Sequence, residues 1–186
     1  MTEAIFIILG ALLGAGLSAF IQKGFNRTSI NERQITQVYS PLLGIRDEVQ
    51  QKDKLDREIS KSALAEVGSV PREAQEQALT EYEKIFFKDI DYWNNRLQNE
   101  IIPAYERMIS ILRDNFWLLN ESTRQYLPTL ITVVEVWKRD LKKAISSSTR
   151  EALPHNDEAL TEFYKDLEQN LEILRKKVQK GWSLWA

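Results

Sequence analysis

Two residues in the C-terminal part of the chain have the types and the spacing to act on a phosphate ester. They are Arg150 and His155, which is the only histidine, in the segment REALPH. Histidine transfers protons near neutral pH, and arginine can bind a phosphate through two parallel hydrogen bonds. The pair could therefore supply the proton transfer and the fixed cation that metal-free cleavage of a phosphodiester requires. The alternative interpretation is a surface histidine near the N-terminus of a helix.

Other reaction classes lack the residues that they need. The chain has no cysteine, which excludes a thiolate nucleophile and a zinc–thiolate site, and a single histidine excludes an HExxH pair. There is no glycine-rich phosphate loop, and no pair of carboxylates stands apart as an acid–base dyad. We therefore expect neither a metal nor a cofactor.

The element that would anchor the rest of the chain, including Arg150 and His155, is an uncharged run at the N-terminus. It extends from Ala4 to Ile21, which is 18 residues. At about 1.5 Å per residue the run makes a helix of roughly 27 Å, close to the thickness of a hydrocarbon core. The sequence thus predicts a transmembrane helix over residues 1–22. A signal peptide and a buried core helix are the alternatives.

Charges on the two sides of this run predict its orientation. Glu3 precedes it, whereas the cations Lys23 and Arg27 follow it. By the positive-inside rule the N-terminus lies outside, and residues 23–186 lie in the cytoplasm of a single-pass protein of the cell inner membrane. The tail 182–186 contains Trp182 and Trp185, which could anchor at the headgroup level. They could instead pack on a neighbouring subunit or on their own bundle.

Small residues repeat every four positions within the run. They form two adjacent ladders, one of Gly10, Gly14 and Ser18 and one of Ala11, Ala15 and Ala19. In lipid, small residues let helix backbones approach closely enough for van der Waals contact to hold them together. The ladders predict a homo-oligomer that associates through this segment. The alternative is that glycine and alanine are simply common in membrane helices.

Residues 23–186 show the period of amphipathic helices and no sustained alternation of period two. The sequence predicts an all-α fold, with a single N-terminal transmembrane helix followed by a bundle of about four long, partly kinked cytoplasmic helices. Kinks are expected at Pro41 and Pro103. The serine run 146–149 is predicted to be a linker, and the last helix is expected to begin near Pro154.

Aromatic and charged residues complete this prediction. Aromatic side chains at helical spacing are expected in the core, namely Trp93, Phe116, Trp137 and Phe163. The net charge is −2, so we do not expect direct nucleic-acid binding. The cations at 175–177 and 180 are interpreted as a solvated helix face.

Arg150 and His155 match the RxxxxH pattern of HEPN ribonucleases, in which two such motifs meet across a dimer. Because Pro154 keeps the residue before it out of helical geometry, the motif is expected to cross from a linker into the start of a helix.

The overall plan resembles the small membrane accessory proteins of type VI-B CRISPR systems. The resemblance rests on the run Ala4–Ile21, on the helices between Ser29 and Gly181, and on Arg150 with His155. It implies an antiviral role alongside an RNA-guided RNase, oligomeric membrane pores, and a HEPN-like role for Arg150 and His155. Three functions stay open: a pore-forming or membrane-perturbing accessory protein, a membrane-tethered ribonuclease, and a non-catalytic membrane-anchored scaffold.

Overall fold

The structure, a computed structural model, describes residues 22, 24, 26–68 and 90–183. All regular elements in these residues are helical and none is a strand, which confirms the predicted all-α fold for this part of the chain. No helix among the same residues is both long enough and apolar enough to cross a membrane. The run Ala4–Ile21, Lys23 and Trp185 lie outside the described residues, as does the side chain of Trp182.

The first described helix, α1 (26–68), continues through a proline by widening one turn. In the π turn Ile35–Tyr39, the N–H of Ser40 donates to the carbonyl of Ile35, five residues back. Pro41 follows at once. In a regular α-helix its ring would collide with the carbonyl four residues earlier, and it has no N–H to donate. The π turn relieves both problems, so the helix continues, as predicted.

The second described helix, α2 (90–114), repeats this arrangement at its own proline. Its π turn is Leu97–Ile101, and the N–H of Ile102 donates to the carbonyl of Leu97 directly before Pro103. The helix ends where Asn115 donates two hydrogen bonds to the carbonyl of Ile111, from its backbone at 3.1 Å and from its side chain at 3.0 Å. A 3-10 turn, Phe116–Leu118, then leads the chain away.

The remaining chain forms two short and two longer helices. They are α3 (Glu121–Arg124), α4 (Leu127–Leu141), α5 (Ser147–Ala152) and α6 (Thr161–Ser183). A 3-10 turn, Asp157–Leu160, comes directly before α6. The bundle therefore has four long helices among the described residues, namely α1, α2, α4 and α6.

Two predicted boundaries near the Arg150–His155 motif are wrong. Ser146 is not part of a linker: its hydroxyl accepts a hydrogen bond from the N–H of Thr149 at 3.2 Å and so caps α5. The last helix does not begin near Pro154, because Asn156 caps the 3-10 turn by accepting from the N–H of Ala159. In both places a polar side chain that looked like a loop residue starts a short helical turn.

Helices α1 and α2 run antiparallel, and further contacts join α2 to α4. Between α1 and α2, Lys52 contacts Glu100 at 2.8 Å, and further back on α1 the side chain of Gln34 donates to the carbonyl of Leu118 at 2.5 Å. Between α2 and α4, Lys138 contacts Glu106 at 2.5 Å, and the rings of Tyr105 and Trp137 meet edge to face at 5.0 Å.

The core draws fully buried side chains from each long helix. Apolar residues at spacings of three and four predict one buried stripe along α1, from Ile35 to Val49. Four of its five members are buried, namely Val38, Leu42, Ile45 and Val49, and Ile35 is partly buried. Burying one large aliphatic side chain stabilises the fold by about 1.5–3 kcal/mol. Among the described residues, the hydrophobic side chains with no solvent exposure besides Val38 and Leu42 are Tyr39, Met108, Leu112, Leu130, Val133, Leu160, Phe163 and Leu167.

The four aromatic residues predicted for the core separate into two kinds. Phe163 is fully buried, and Trp137 packs against the core from a half-buried position. Phe116 and Trp93 are exposed, so for them the prediction is wrong. Phe116 lies in the 3-10 turn after α2 rather than on the helix, and the helical spacing that placed it in the core does not apply there.

Candidate functional site

Arg150 lies on the short helix α5 and has a partner on the neighbouring helix. Its guanidinium donates to Asp140 of α4 at 3.2 Å, and both side chains are partly exposed. This ion pair ties α5 to the end of α4. It also partly neutralises the positive charge that a bound phosphate would need.

His155 lies in the loop between α5 and the 3-10 turn that precedes α6. Its Nδ1 is 2.8 Å from the carbonyl oxygen of Leu153, and its own carbonyl oxygen accepts a hydrogen bond from the Trp137 indole at 2.6 Å. The backbone of His155 thus holds this loop against α4. Leu153 is extended, with φ −112° and ψ 155°, as expected for the residue before Pro154.

The structure places the two residues of the RxxxxH motif in different local settings. Arg150 lies within a helix and bonds to Asp140, whereas His155 lies in a loop and contacts Leu153. The expected crossing of an element boundary is present, but the helix ends inside the motif instead of beginning there. The catalytic role of the pair stays a prediction. Within one copy of the chain, the contacts of Arg150 and His155 hold α5 and the loop after it against α4.

A buried ion cluster, which no sequence pattern indicates, joins α1 to α2. This Arg96 cluster consists of Arg96, Asp53 and Asp56. Arg96 is only 3% exposed, and its guanidinium donates to Asp53 at 2.8 Å and to Asp56. The guanidinium carbon also lies 5.5 Å from the centre of the Trp93 ring.

The position of the Arg96 cluster suggests a role in helix registration. Arg96 is the residue immediately before the π turn Leu97–Ile101, and its two acidic partners lie one turn apart on α1. A shift of either helix by one turn would leave a buried charge without its counterion. Buried ion pairs contribute little net stability but penalise such misalignment strongly.

A second buried polar group, the Tyr39 network, joins α1, α3 and α6. The backbone N–H of Asn120 donates to the Tyr39 hydroxyl at 3.3 Å, and that hydroxyl lies 3.1 Å from the Thr123 hydroxyl. Thr123 in turn donates to Asp166 at 2.6 Å. Because the Thr123 proton points to the carboxylate, Tyr39 must be the donor to Thr123.

Asn170 completes the Tyr39 network from α6. Its side-chain amide donates to the hydroxyls of Ser122 and Thr123, each at 3.3 Å, and its carbonyl oxygen accepts from the side chain of Asn120. The π turn places Tyr39 next to Val38 with both residues buried. Pro41, two residues after Tyr39, predicts a local irregularity of the helix, but it does not predict which residues bond to Tyr39.

Replacing Tyr39 with phenylalanine should lower the free energy of unfolding by about 1–2 kcal/mol at neutral pH, because the N–H of Asn120 loses its acceptor. Burial raises the pKa of Tyr39 above its ordinary value of 10.0. The neutral hydroxyl is therefore favoured by folding, and this contribution is present below about pH 10 and lost as the pH rises through the higher folded-state value. Urea unfolding between neutral pH and pH 11 checks both effects.

The exposed Tyr92 provides the control for this substitution. Tyr92→Phe should leave stability and its alkaline pH dependence unchanged. The assignment is contradicted if the Tyr39→Phe protein loses stability above pH 10 as steeply as the wild type does.

A shallow groove of about 440 Å³ lies between α2 and α4. Its charged lining includes Glu106, Arg113, Glu135 and Lys138, with both signs interspersed. In the described parts of the chain no three His, Cys, Asp or Glu side chains are placed together to hold a metal ion. The groove thus offers no concentrated charge for a ligand.

The described residues form an all-helical bundle in which the Arg96 cluster and the Tyr39 network lie buried at contacts between helices. Comparison of the chain with family models, with curated proteins and with solved structures gives no match. The function proposed for this chain is therefore inferred from its own residues.

Proposed function

We propose that this protein is a single-pass membrane protein of the cell inner membrane, with its helical bundle in the cytoplasm. The proposal rests on the uncharged run Ala4–Ile21, which lies directly before the helical part of the chain. Residue 22 is helical, and α1 is under way by residue 26. A polar helical bundle joined so closely to an apolar segment of spanning length is typical of a membrane-anchored domain.

The second part of the proposal is self-association into a membrane-perturbing oligomer. In a helix, the ladders that contain Gly10 and Ala11 would present small residues along one side of the run, with larger residues such as Ile5 and Leu9 on the other. Close packing along the small side favours helix–helix contact in lipid. A pore lined by such a segment would be apolar and would tend to dewet, so gating by a partner fits it.

The resemblance to type VI-B accessory proteins supports an antiviral role for this oligomer. On that proposal the partner is an RNA-guided RNase, and membrane perturbation follows when the RNase is activated. The structural contacts of Arg150 and His155 within one chain favour this function over a tethered ribonuclease. No cofactor enters the proposal.

The test compares the full chain with a double variant, Gly10→Ile with Gly14→Ile, in detergent and in planar bilayers. The wild type should be multimeric and conduct ions. The variant should dissociate at least about tenfold more readily, the equivalent of about 1.4 kcal/mol, and lose conductance. Light scattering in detergent measures the mass.

The matched control exchanges large residues on the opposite side, Ile5→Leu with Leu9→Ile. Its mass and conductance should equal those of the wild type. A wild-type chain that is strictly monomeric, or that conducts under no condition, would rule out the pore.

A further inference from the structure

Helix α6 runs antiparallel to α1, which brings the C-terminal end of the described chain beside its N-terminal end. The guanidinium of Arg46 lies over the ring of Tyr164 at 5.8 Å. Further back on α1, Tyr39 bonds to Thr123, and Asn170 of α6 bonds to the same hydroxyl. Lower residue numbers on α1 therefore lie level with higher numbers on α6.

Both helices extend past this level by the same distance. The chain has as many residues from Tyr39 back to residue 26 as from Asn170 forward to Ser183, about 20 Å of helix in each case. Gln34 marks the level of the 3-10 turn Phe116–Leu118, because it bonds to the carbonyl of Leu118. The first turns of α1 and the last turns of α6 thus extend on the same side past the level of the 3-10 turn Phe116–Leu118.

The two projecting helix ends carry a concentrated positive charge. We call residues 26–34 and 174–183 the basic collar. It contains six cations, at positions 27, 33, 175, 176, 177 and 180, and one carboxylate, Glu32, in a chain whose net charge is −2. Lys176 pairs at 2.6 Å with Glu172, one turn before the collar, so the local excess is +4 when Glu172 is counted. Arg27, Arg33, Arg175 and Lys177 are exposed. Cations that are far apart in the sequence therefore meet at one end of the molecule.

Exposed apolar side chains accompany this charge. The Trp117 ring is 58% exposed and lies 4.9 Å below the guanidinium carbon of Arg33, and Ile30 is also exposed on α1. Tryptophan and arginine together at a surface are characteristic of the headgroup layer of a membrane, where one part of each side chain is apolar and the other is hydrated.

We infer that the basic collar, with Trp117 beside it, docks on the anionic phospholipid headgroups of a bilayer. The inference rests on the proposed membrane anchoring, because the run Ala4–Ile21 joins the bundle at this same end. Charge complementarity selects the occupant: an anionic leaflet attracts clustered lysine and arginine, by a factor of about five in affinity for each cation near the surface. The cations at 175–177 and 180 are then part of a docking surface and not simply a solvated helix face.

The experiment measures amide hydrogen exchange of the full chain in lipid nanodiscs. One set of discs contains phosphatidylcholine alone, and the other contains about one third phosphatidylglycerol. Amides of residues 26–34 and 174–183 should exchange at least about fivefold more slowly in the anionic discs, and added salt should reduce this protection. Equal exchange in the two sets of discs would overturn the inference.

Charge-reversal variants locate the effect. Arg175→Glu, Lys177→Glu and Lys180→Glu together should abolish the lipid-dependent protection. The matched control, Lys54→Glu, Arg57→Glu and Lys61→Glu, makes the same charge change on exposed residues at the far end of α1 and should retain the protection. If both triple variants lose it equally, the collar is not the docking surface.

Further outcomes distinguish the docking of the basic collar from the proposed membrane anchoring and from a nucleic-acid surface. A full chain that enters neither kind of disc would refute the proposed anchoring and the collar with it, whereas entry without dependence on lipid charge would refute the collar alone. Unstructured RNA added to the phosphatidylcholine discs should give no protection. Protection by RNA equal to that by phosphatidylglycerol would identify a nucleic-acid surface and overturn the lipid assignment.

Discussion

Replacing Arg96 with alanine should lower the free energy of unfolding by about 3–5 kcal/mol. The guanidinium is buried and donates to both Asp53 and Asp56, and Asp53 is itself almost fully buried. Without Arg96, at least one carboxylate stays in a region of low polarity with no counterion. Chemical denaturation of the purified chain, followed by circular dichroism, measures the loss.

An exposed ion pair between the same two helices provides the control. Lys52 and Glu100 are 46% and 48% exposed in their side chains, and Lys52→Ala should cost only a small fraction of the loss from Arg96→Ala. A second variant separates lost charge pairing from lost packing: Arg96→Met with Asp53→Leu and Asp56→Leu removes the whole cluster and should recover most of the stability. Equal losses from Arg96→Ala and Lys52→Ala would refute the role of the cluster.

Replacing Phe163 with alanine should also cost about 3–5 kcal/mol. The ring has no solvent exposure and lies 5.7 Å from the rings of both Tyr126 and Tyr164. Its removal leaves a cavity where α6 packs against the start of α4, and helices fixed by other contacts cannot close it fully. The same unfolding measurement applies.

Phe116 gives a control of identical chemistry in a different setting. It is 46% exposed and lies against the guanidinium of Arg124 at 5.1 Å. Phe116→Ala should therefore cost less than about 1 kcal/mol, and the difference between the two variants should exceed 2 kcal/mol. A loss from Phe116→Ala as large as that from Phe163→Ala would show that the aromatic core is assigned wrongly.

The helices and much of the core could be predicted because their signals are local. The spacing of Val38, Leu42, Ile45 and Val49 places them on one face of α1, and all four are buried. Phe116 has comparable helical spacing but lies beyond the C-terminal end of α2, so periodicity alone misassigned it. Periodicity reports which face a residue occupies only while the helix continues.

The polar sites could not be predicted because their partners are distant in the sequence. Arg96 has no local feature that separates it from the other arginines, and its burial depends on how α1 and α2 align. The RxxxxH motif shows the same limit. The spacing of Arg150 and His155 is visible in the sequence, but the contacts of the two residues are not. The pairing of Arg150 with Asp140 depends on the turn that brings α5 back to α4.

The π turns before Pro41 and Pro103 have a consequence for how this chain is aligned with others. Each turn holds one residue more than a regular helix does, which rotates everything after it by about 100°. At each turn two adjacent residues are buried, Val38 with Tyr39 and Ile101 with Ile102. A homologue without the proline should therefore align with a one-residue deletion at that turn. An alignment that forbids gaps within helices would shift the residues of its Arg96 cluster or Tyr39 network by one position.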